Sequence, residues 1–291
     1  MPERSINGGT IVYEVMGSGQ PIVLTPGGRF GMDVPGLRPL AERLARHMQV
    51  VLWDRPNTGR SDFKFTGNSE SLMCADDLAE LLRTLELGPV VLAGGSAGSR
   101  VSILTAINHP EVVSKLAVWM MSGGTFGTLF LAMNYLLPHI AAAWASGMEA
   151  VTELTDVKAR IDAEPRLRQQ ILDLDRDEFL KRLNTWLEAY VPRPENVLPG
   201  VPASDVARVT APTIIFRNGD GDPYHPAEVS SAVHAAIASS ELVEPPWGRD
   251  SWFQTKQRQL AGTGNLFDDW VMLADPIGEF AAAGPPATTR R

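Results

Sequence analysis

Short runs of apolar, mostly β-branched residues alternate along the chain with longer stretches in which apolar side chains recur every three or four positions. The runs IVYEV, PIVLT, VLWD, VVLAG, KLAVWMM, TIIF and ELVEP predict strands. Between them, RPLAERLARH, ESLMCADDLAELLRTLEL and PAEVSSAVHAAIAS predict amphipathic helices, and further helices are expected over Ala97 to Asn108 and over Asn265 to Ala282. Strand and helix in alternation predict an α/β protein with a doubly wound, mostly parallel sheet, covered on both faces.

The alternation is interrupted from about residue 123 to residue 211. This stretch carries helical patterns such as LFLAMNYLLPHIAAAWASGM and DRDEFLKRLNTWLEAY, no convincing strand, and a Pro-rich end, VPRPENVLPGVPASD. It reads as a helical cap, 123–211, inserted into a core made of residues 1–122 and 212–291. Its apolar faces must bury against the sheet or line a cavity, and Met133, Leu136, Leu137 and Trp144 are the expected apolar wall of a substrate pocket.

Composition narrows the class of partner. Of 291 residues, 21% are charged, and the net charge of −8 argues against nucleic acid or an anionic membrane surface. A small-molecule substrate is the expected partner, with no nucleic acid and no membrane, and a homodimer is compatible with this composition. The N-terminus, MPERSINGGTIVYE, has no apolar signal core, and no stretch reads as a run of about 18 apolar residues, so a cytoplasmic protein is expected. The tail GPPATTRR is expected to be disordered. The single cysteine, Cys74, lies within a helical pattern and reads as a small buried side chain; a cysteine-built metal site is not expected, nor any other metal or cofactor site.

The chemistry centres on VVLAGGSAGSR, where a strand runs into Ser96 flanked by Gly94, Gly95, Ala97 and Gly98. A serine on a sharp strand-to-helix turn projects its hydroxyl above the carboxyl edge of the sheet, and only small neighbours fit so tight a turn. The Ala97 amide, at the start of the following helix, is placed to hold an oxyanion. The glycine-rich loop PGGRFG after PIVLT offers a second donor, with Gly28 the expected residue.

These blocks, with NGGTIVYEVMGSGQPIVLTPGG, WDRPNTGRSD and PTIIFRNGDGDPYHP in the same order, resemble the α/β-hydrolase superfamily over essentially the whole chain. The resemblance implies that Ser96 is the nucleophile, that Gly28 and Ala97 form the oxyanion hole, that no cofactor is needed, and that the acid follows TIIF. Asp222 fits that place better than Asp220, which reads as a turn residue.

The chain departs from the family at the base. The loop after the last strand reads Gly248-Arg249-Asp250, and no histidine follows His234. A guanidinium cannot take a serine proton. His47 and His109 fall at the sheet edge opposite the serine, and His234 lies within a helix. Two candidates remain: His225, three residues after Asp222, and His139 in the cap, which is otherwise a candidate to face the substrate. Trp247 and Arg249 are expected to wall the site and bind a polar or anionic group, and Arg55 to brace its own loop. Two functions stay open. One is a hydrolase of an ester, lactone or activated carbonyl; the other is a non-hydrolytic enzyme or binding protein that keeps the pocket but not the triad.

Overall fold

In the computed structural model, residues 1–283 are described; the tail GPPATTRR lies outside the described residues. Ten strands are present among them: β1 Glu3–Ile6, β2 Gly9–Gly17, β3 Gln20–Thr25, β4 Met48–Trp53, β5 Val90–Gly95, β6 Val113–Trp119, β7 Asn196–Leu198, β8 Val201–Pro202, β9 Thr213–Phe216 and β10 Ser240–Val243. Eight of them form one sheet in the order β1-β2-β4-β3-β5-β6-β9-β10. β1 pairs antiparallel with β2, and β2 antiparallel with β4, while every later neighbour is parallel. Parallel strands need crossovers that lay helices on both faces, which is why the central strands are apolar on both sides. The helices Glu70–Thr84, Ala97–Asn108 and Ala227–Ala236 bury Leu78, Val101 and Val233 against one face; Leu37–Leu44 and Ala274–Ala282 bury Leu40 and Ile277 against the other.

β6 and β9 are neighbours in the sheet, with Leu116 opposite Thr213 and Val118 opposite Ile215. The helical segment that separates them in sequence includes Gly124–Tyr135, Leu137–Thr152, Thr155–Ala163, Leu167–Leu172 and Arg176–Leu187. It rests on the loop that follows β4. Arg160 Nε donates to the Gly59 carbonyl at 2.9 Å, Trp186 Nε1 to the Gly67 carbonyl at 3.1 Å, and Phe65 stacks on Trp186. The helical run Gly124–Ala163 is long and apolar enough, by length and composition, to cross a membrane, which the sequence reading had not expected. It is broken at Leu136 and again at Gly147, whose backbone φ is 79°.

Several local expectations are corrected. The Pro-rich end of the insertion holds a short antiparallel pair, β7 and β8, joined through Pro199-Gly200 with Gly200 at φ 71°, a turn that suits this dipeptide. The stretch from Asn265 to Ala282 is not one helix: a 3₁₀ segment, Asp268–Leu273, precedes Ala274–Ala282. Pro276 lacks the amide that a continuous α-helix would bond to the Met272 carbonyl, so the run divides there. A helix not expected from sequence, Ser251–Leu260, follows the loop after β10.

Of the expected apolar wall, Met133, Leu136, Leu137 and Trp144, only Leu136 turns inward. Leu131 and Ala132 take the inward side of Gly124–Tyr135 and Leu136 is fully buried, which leaves Met133 at 62%, Leu137 at 41% and Trp144 at 70% exposure, facing solvent.

Candidate active site

β5 ends at Gly95, and Ser96 follows with φ 55° and ψ −120°, a conformation costly for a residue with a Cβ. The turn is held by its surroundings. The Ser96 amide donates to the Trp119 carbonyl at 3.1 Å, and the Ser96 carbonyl accepts from Ser99 Oγ at 2.6 Å. A Cβ at Gly98 would lie 2.1 Å from the Thr25 carbonyl oxygen, and one at Gly94 would lie 2.5 Å from that of Gly98. The small residues are thus a packing requirement: helix Ala97–Asn108 starts in contact with β3 and β5.

The hydroxyl so presented meets an imidazole. Ser96 Oγ lies 2.9 Å from His225 Nε2, and His225 Nδ1 lies 2.8 Å from Asp222 Oδ2. Ser96, Asp222 and His225 are all buried. The second oxygen of Asp222 accepts the amides of Tyr224 at 2.9 Å and His225 at 3.3 Å, an Asx-type turn that curls the loop so that the carboxylate reaches an imidazole only three residues on. The loop is clamped from below by Asn218, an uncharged side chain at 1% exposure. Its Oδ1 accepts the Met121 amide at 2.9 Å, and its Nδ2 donates to the carbonyls of Met121 at 2.8 Å and Pro226 at 3.0 Å. Ser122 Oγ sits 3.4 Å from Ser96 Oγ. Neither Asn218 nor Ser122 was singled out from sequence. A polar residue two positions past a buried strand was the available signal for Asn218; nothing in the sequence distinguished Ser122.

Opposite the imidazole, the loop after β3 comes close to the serine: a Cβ at Gly27 would lie 2.9 Å from that of Ser96. Gly28 has φ 52°, and its carbonyl accepts Arg55 Nη2 at 2.6 Å, so Arg55 braces the loop. Among the described residues neither the Gly28 nor the Ala97 amide donates to another backbone group outside regular helices and strands, and both residues line one narrow cavity.

The remaining candidates fall elsewhere. His139 is buried within the helical insertion, with Nε2 3.3 Å from Asp156 Oδ2, and lines neither cavity that touches the site residues. Burial alone would raise the Asp156 carboxyl; the hydrogen bond and charge of His139, with Arg29 further off, outweigh it and bring the pKa down to about 2. Arg249 is exposed and ion-paired with Glu244, so the expected polar clamp points to water. Trp247 is half-buried and shares a small cavity with Asp222 and His225. His109 bonds Asp76 at 2.8 Å and His234 bonds Ser240 at 2.8 Å, both away from the serine's partners. Burial pushes the Cys74 thiol far up, which disqualifies it as a nucleophile.

Comparison with known proteins agrees with the architecture. The chain is 33% identical to (E)-2-((N-methylformamido)methylene)succinate hydrolase of Acinetobacter baylyi, over 112 residues that cover 38% of this chain and 41% of that enzyme. It is 26% identical over 254 residues to RutD of Serratia proteamaculans, named as a carbamate hydrolase, covering 81% of this chain and 87% of that one. The fold is shared with a hydrolase from Pseudomonas aeruginosa at a TM-score of 0.60 and 18% identity, covering 97% of this chain and 98% of that one. The Alpha/beta hydrolase family matches residues 22–283, and with the parallel sheet and the serine turn already in view, the chain belongs to that family.

Proposed function

We propose that this protein is a serine hydrolase in which Ser96, His225 and Asp222 form the catalytic triad. The observation that carries the reading is the unbroken chain of contacts, 2.9 Å from hydroxyl to imidazole and 2.8 Å from imidazole to carboxylate, in a buried setting. Ser96 Oγ attacks the substrate carbonyl while His225 Nε2 takes its proton. Asp222 fixes the tautomer of the imidazole and stabilises its cation. The carbonyl oxygen, now negative, is held by the amides of Gly28 and Ala97. The proton on His225 passes to the leaving group, whose bond to the carbonyl carbon breaks to give the acyl-enzyme. Water, deprotonated by the same imidazole, then releases the acid and restores Ser96.

The substrate class is an ester, a lactone or another activated carbonyl. The relatives' names, which speak of an N-formyl-bearing succinate and of a carbamate, extend that class to acyl–nitrogen bonds. The non-hydrolytic alternative rested on the missing histidine after β10, and an imidazole at 2.9 Å removes that support. A fluorophosphonate probe tests the reading: stoichiometric labelling of the wild type at Ser96, absent in Ser96→Ala, is expected. A folded wild type that stays unlabelled overturns it, because labelling requires an activated hydroxyl.

A further inference from the structure

Among the described residues six buried guanidinium nitrogens have no hydrogen-bond partner, and four of them cluster: Nε of Arg29, Nε of Arg55, and Nε and Nη1 of Arg100. All three arginines line the same narrow cavity as Gly28 and Ala97. Arg55 and Arg100 are each 5% exposed. Their satisfied donors are turned to the protein: Arg29 to Glu70 at 3.0 Å and the Tyr135 carbonyl at 2.8 Å, Arg55 to the Gly28 carbonyl, and Arg100 Nη2 to Tyr190 Oη at 2.9 Å. Among the described residues Glu70 is the only carboxylate lining the cavity, and it is already bonded to Arg29 and Asn57. Three cations therefore face one anion in a site shielded from water. A buried charge without a partner costs several kcal/mol, roughly, so this arrangement is unfavourable unless an anion enters.

The cavity is small, about 20 Å³, room for one compact group. Arg100, with Glu70 and Ser71, also lines a wider groove of about 530 Å³, which can take the rest of a ligand. We propose that the cavity is a carboxylate subsite: the substrate carries a carboxylate a few bonds from the scissile carbonyl, bound by Arg100 with Arg55 and Arg29 supplying further charge. This deepens the triad reading and rests on it for the position of the scissile carbonyl. Planar, donor-rich guanidinium groups suit a carboxylate better than a point charge would.

The test compares the p-nitrophenyl monoester of glutaric acid with the same ester methyl-capped at its far carboxyl. The wild type is expected to favour the free carboxylate in kcat/KM by about tenfold or more, and Arg100→Met to bring that ratio to about one, with Arg100→Lys between. A wild type that prefers the capped ester, or an Arg100→Met that lowers both substrates equally, overturns the proposal; in the latter case the arginines serve the oxyanion. A second arm needs no turnover. Glutarate, but not its dimethyl ester, is expected to raise the Tm of Ser96→Ala, and stabilisation by inorganic phosphate alone overturns the carboxylate assignment. If Arg100→Met does not fold, the wild-type ratio and this arm decide. If no ester is turned over yet glutarate still stabilises, the triad reading fails and the anion subsite stands. If esters are cleaved without charge preference and glutarate does nothing, the reverse holds.

Discussion

Two loops leave the carboxyl ends of adjacent parallel strands and have opposite characters. The loop after β9, from Asn218 to Pro226, buries Asn218, Asp222 and His225, and is clamped by the Asn218 amide and curled by the Asx turn at Asp222. The loop after β10, from Glu244 to Asp250, is mostly exposed, and its one basic residue, Arg249, is neutralised by Glu244. Hydrolases of this fold are expected to carry their histidine on the second loop; here the imidazole is on the first. The second loop still contributes, because the Arg249 carbonyl accepts the Asp220 amide at 2.7 Å and so buttresses the first. The difference teaches that position along the chain is a weaker requirement than environment. A base needs a partner to orient it and shelter from water, and a loop that brings its own carboxylate supplies both.

The comparison is broken most forcefully by removing the imidazole. His225→Ala is expected to lower kcat roughly a thousandfold or more, and the double variant with Ser96→Ala to be little worse than either single one, since the groups act as a unit. Adding Arg249→His to His225→Ala should not restore turnover in steady-state assays; recovery would return the base to the second loop. A smaller effect is expected in the insertion. His139→Ala should keep kcat within about tenfold and instead weaken the fold near neutral pH. Asp156 has its folded pKa depressed to about 2, so its contribution is complete above the ordinary carboxylate range and is lost as pH falls from about 4 towards 2. Without His139 that contribution is missing at neutral pH, so the variant's deficit in Tm narrows as pH falls from about 4 towards 2, a change readable from Tm against pH. Its size is modest, about 1 kcal/mol or less, because the carboxylate is partly exposed. The smallest effect belongs to Arg249→Ala: kcat/KM within about twofold, as the guanidinium meets only Glu244 and water. A loss of tenfold or more would bring the exposed loop into the site.

The parts of this molecule that were legible in the sequence are those set by local rules. Strand and helix periods gave the sheet, and Gly94 to Gly98 marked a turn too tight for side chains. The imidazole was reached by elimination and by its spacing from Asp222. What could not be read depends on contacts between distant segments. Asn218 is a clamp only because Met121, far away in sequence, presents both its amide and its carbonyl. Arg100 looks like any helical arginine until its burial and unpaired nitrogens are seen. The apolar pattern of Met133, Leu136, Leu137 and Trp144 named residues that could face inward but not which side of the helix would; Leu136 is buried, while Leu131 and Ala132 take the inward side in place of the other three.

Placing Asp222 and His225 three residues apart also changes the mechanics of the site. Where acid and base arrive on separate loops, two independent displacements must stay small together. Here the carboxylate and the imidazole ride on one clamped segment, so a shift of that segment carries both, and only the distance from imidazole to hydroxyl is left free to drift. The site has one joint in place of two, and the pair can be moved, lost or exchanged as a single short stretch of chain.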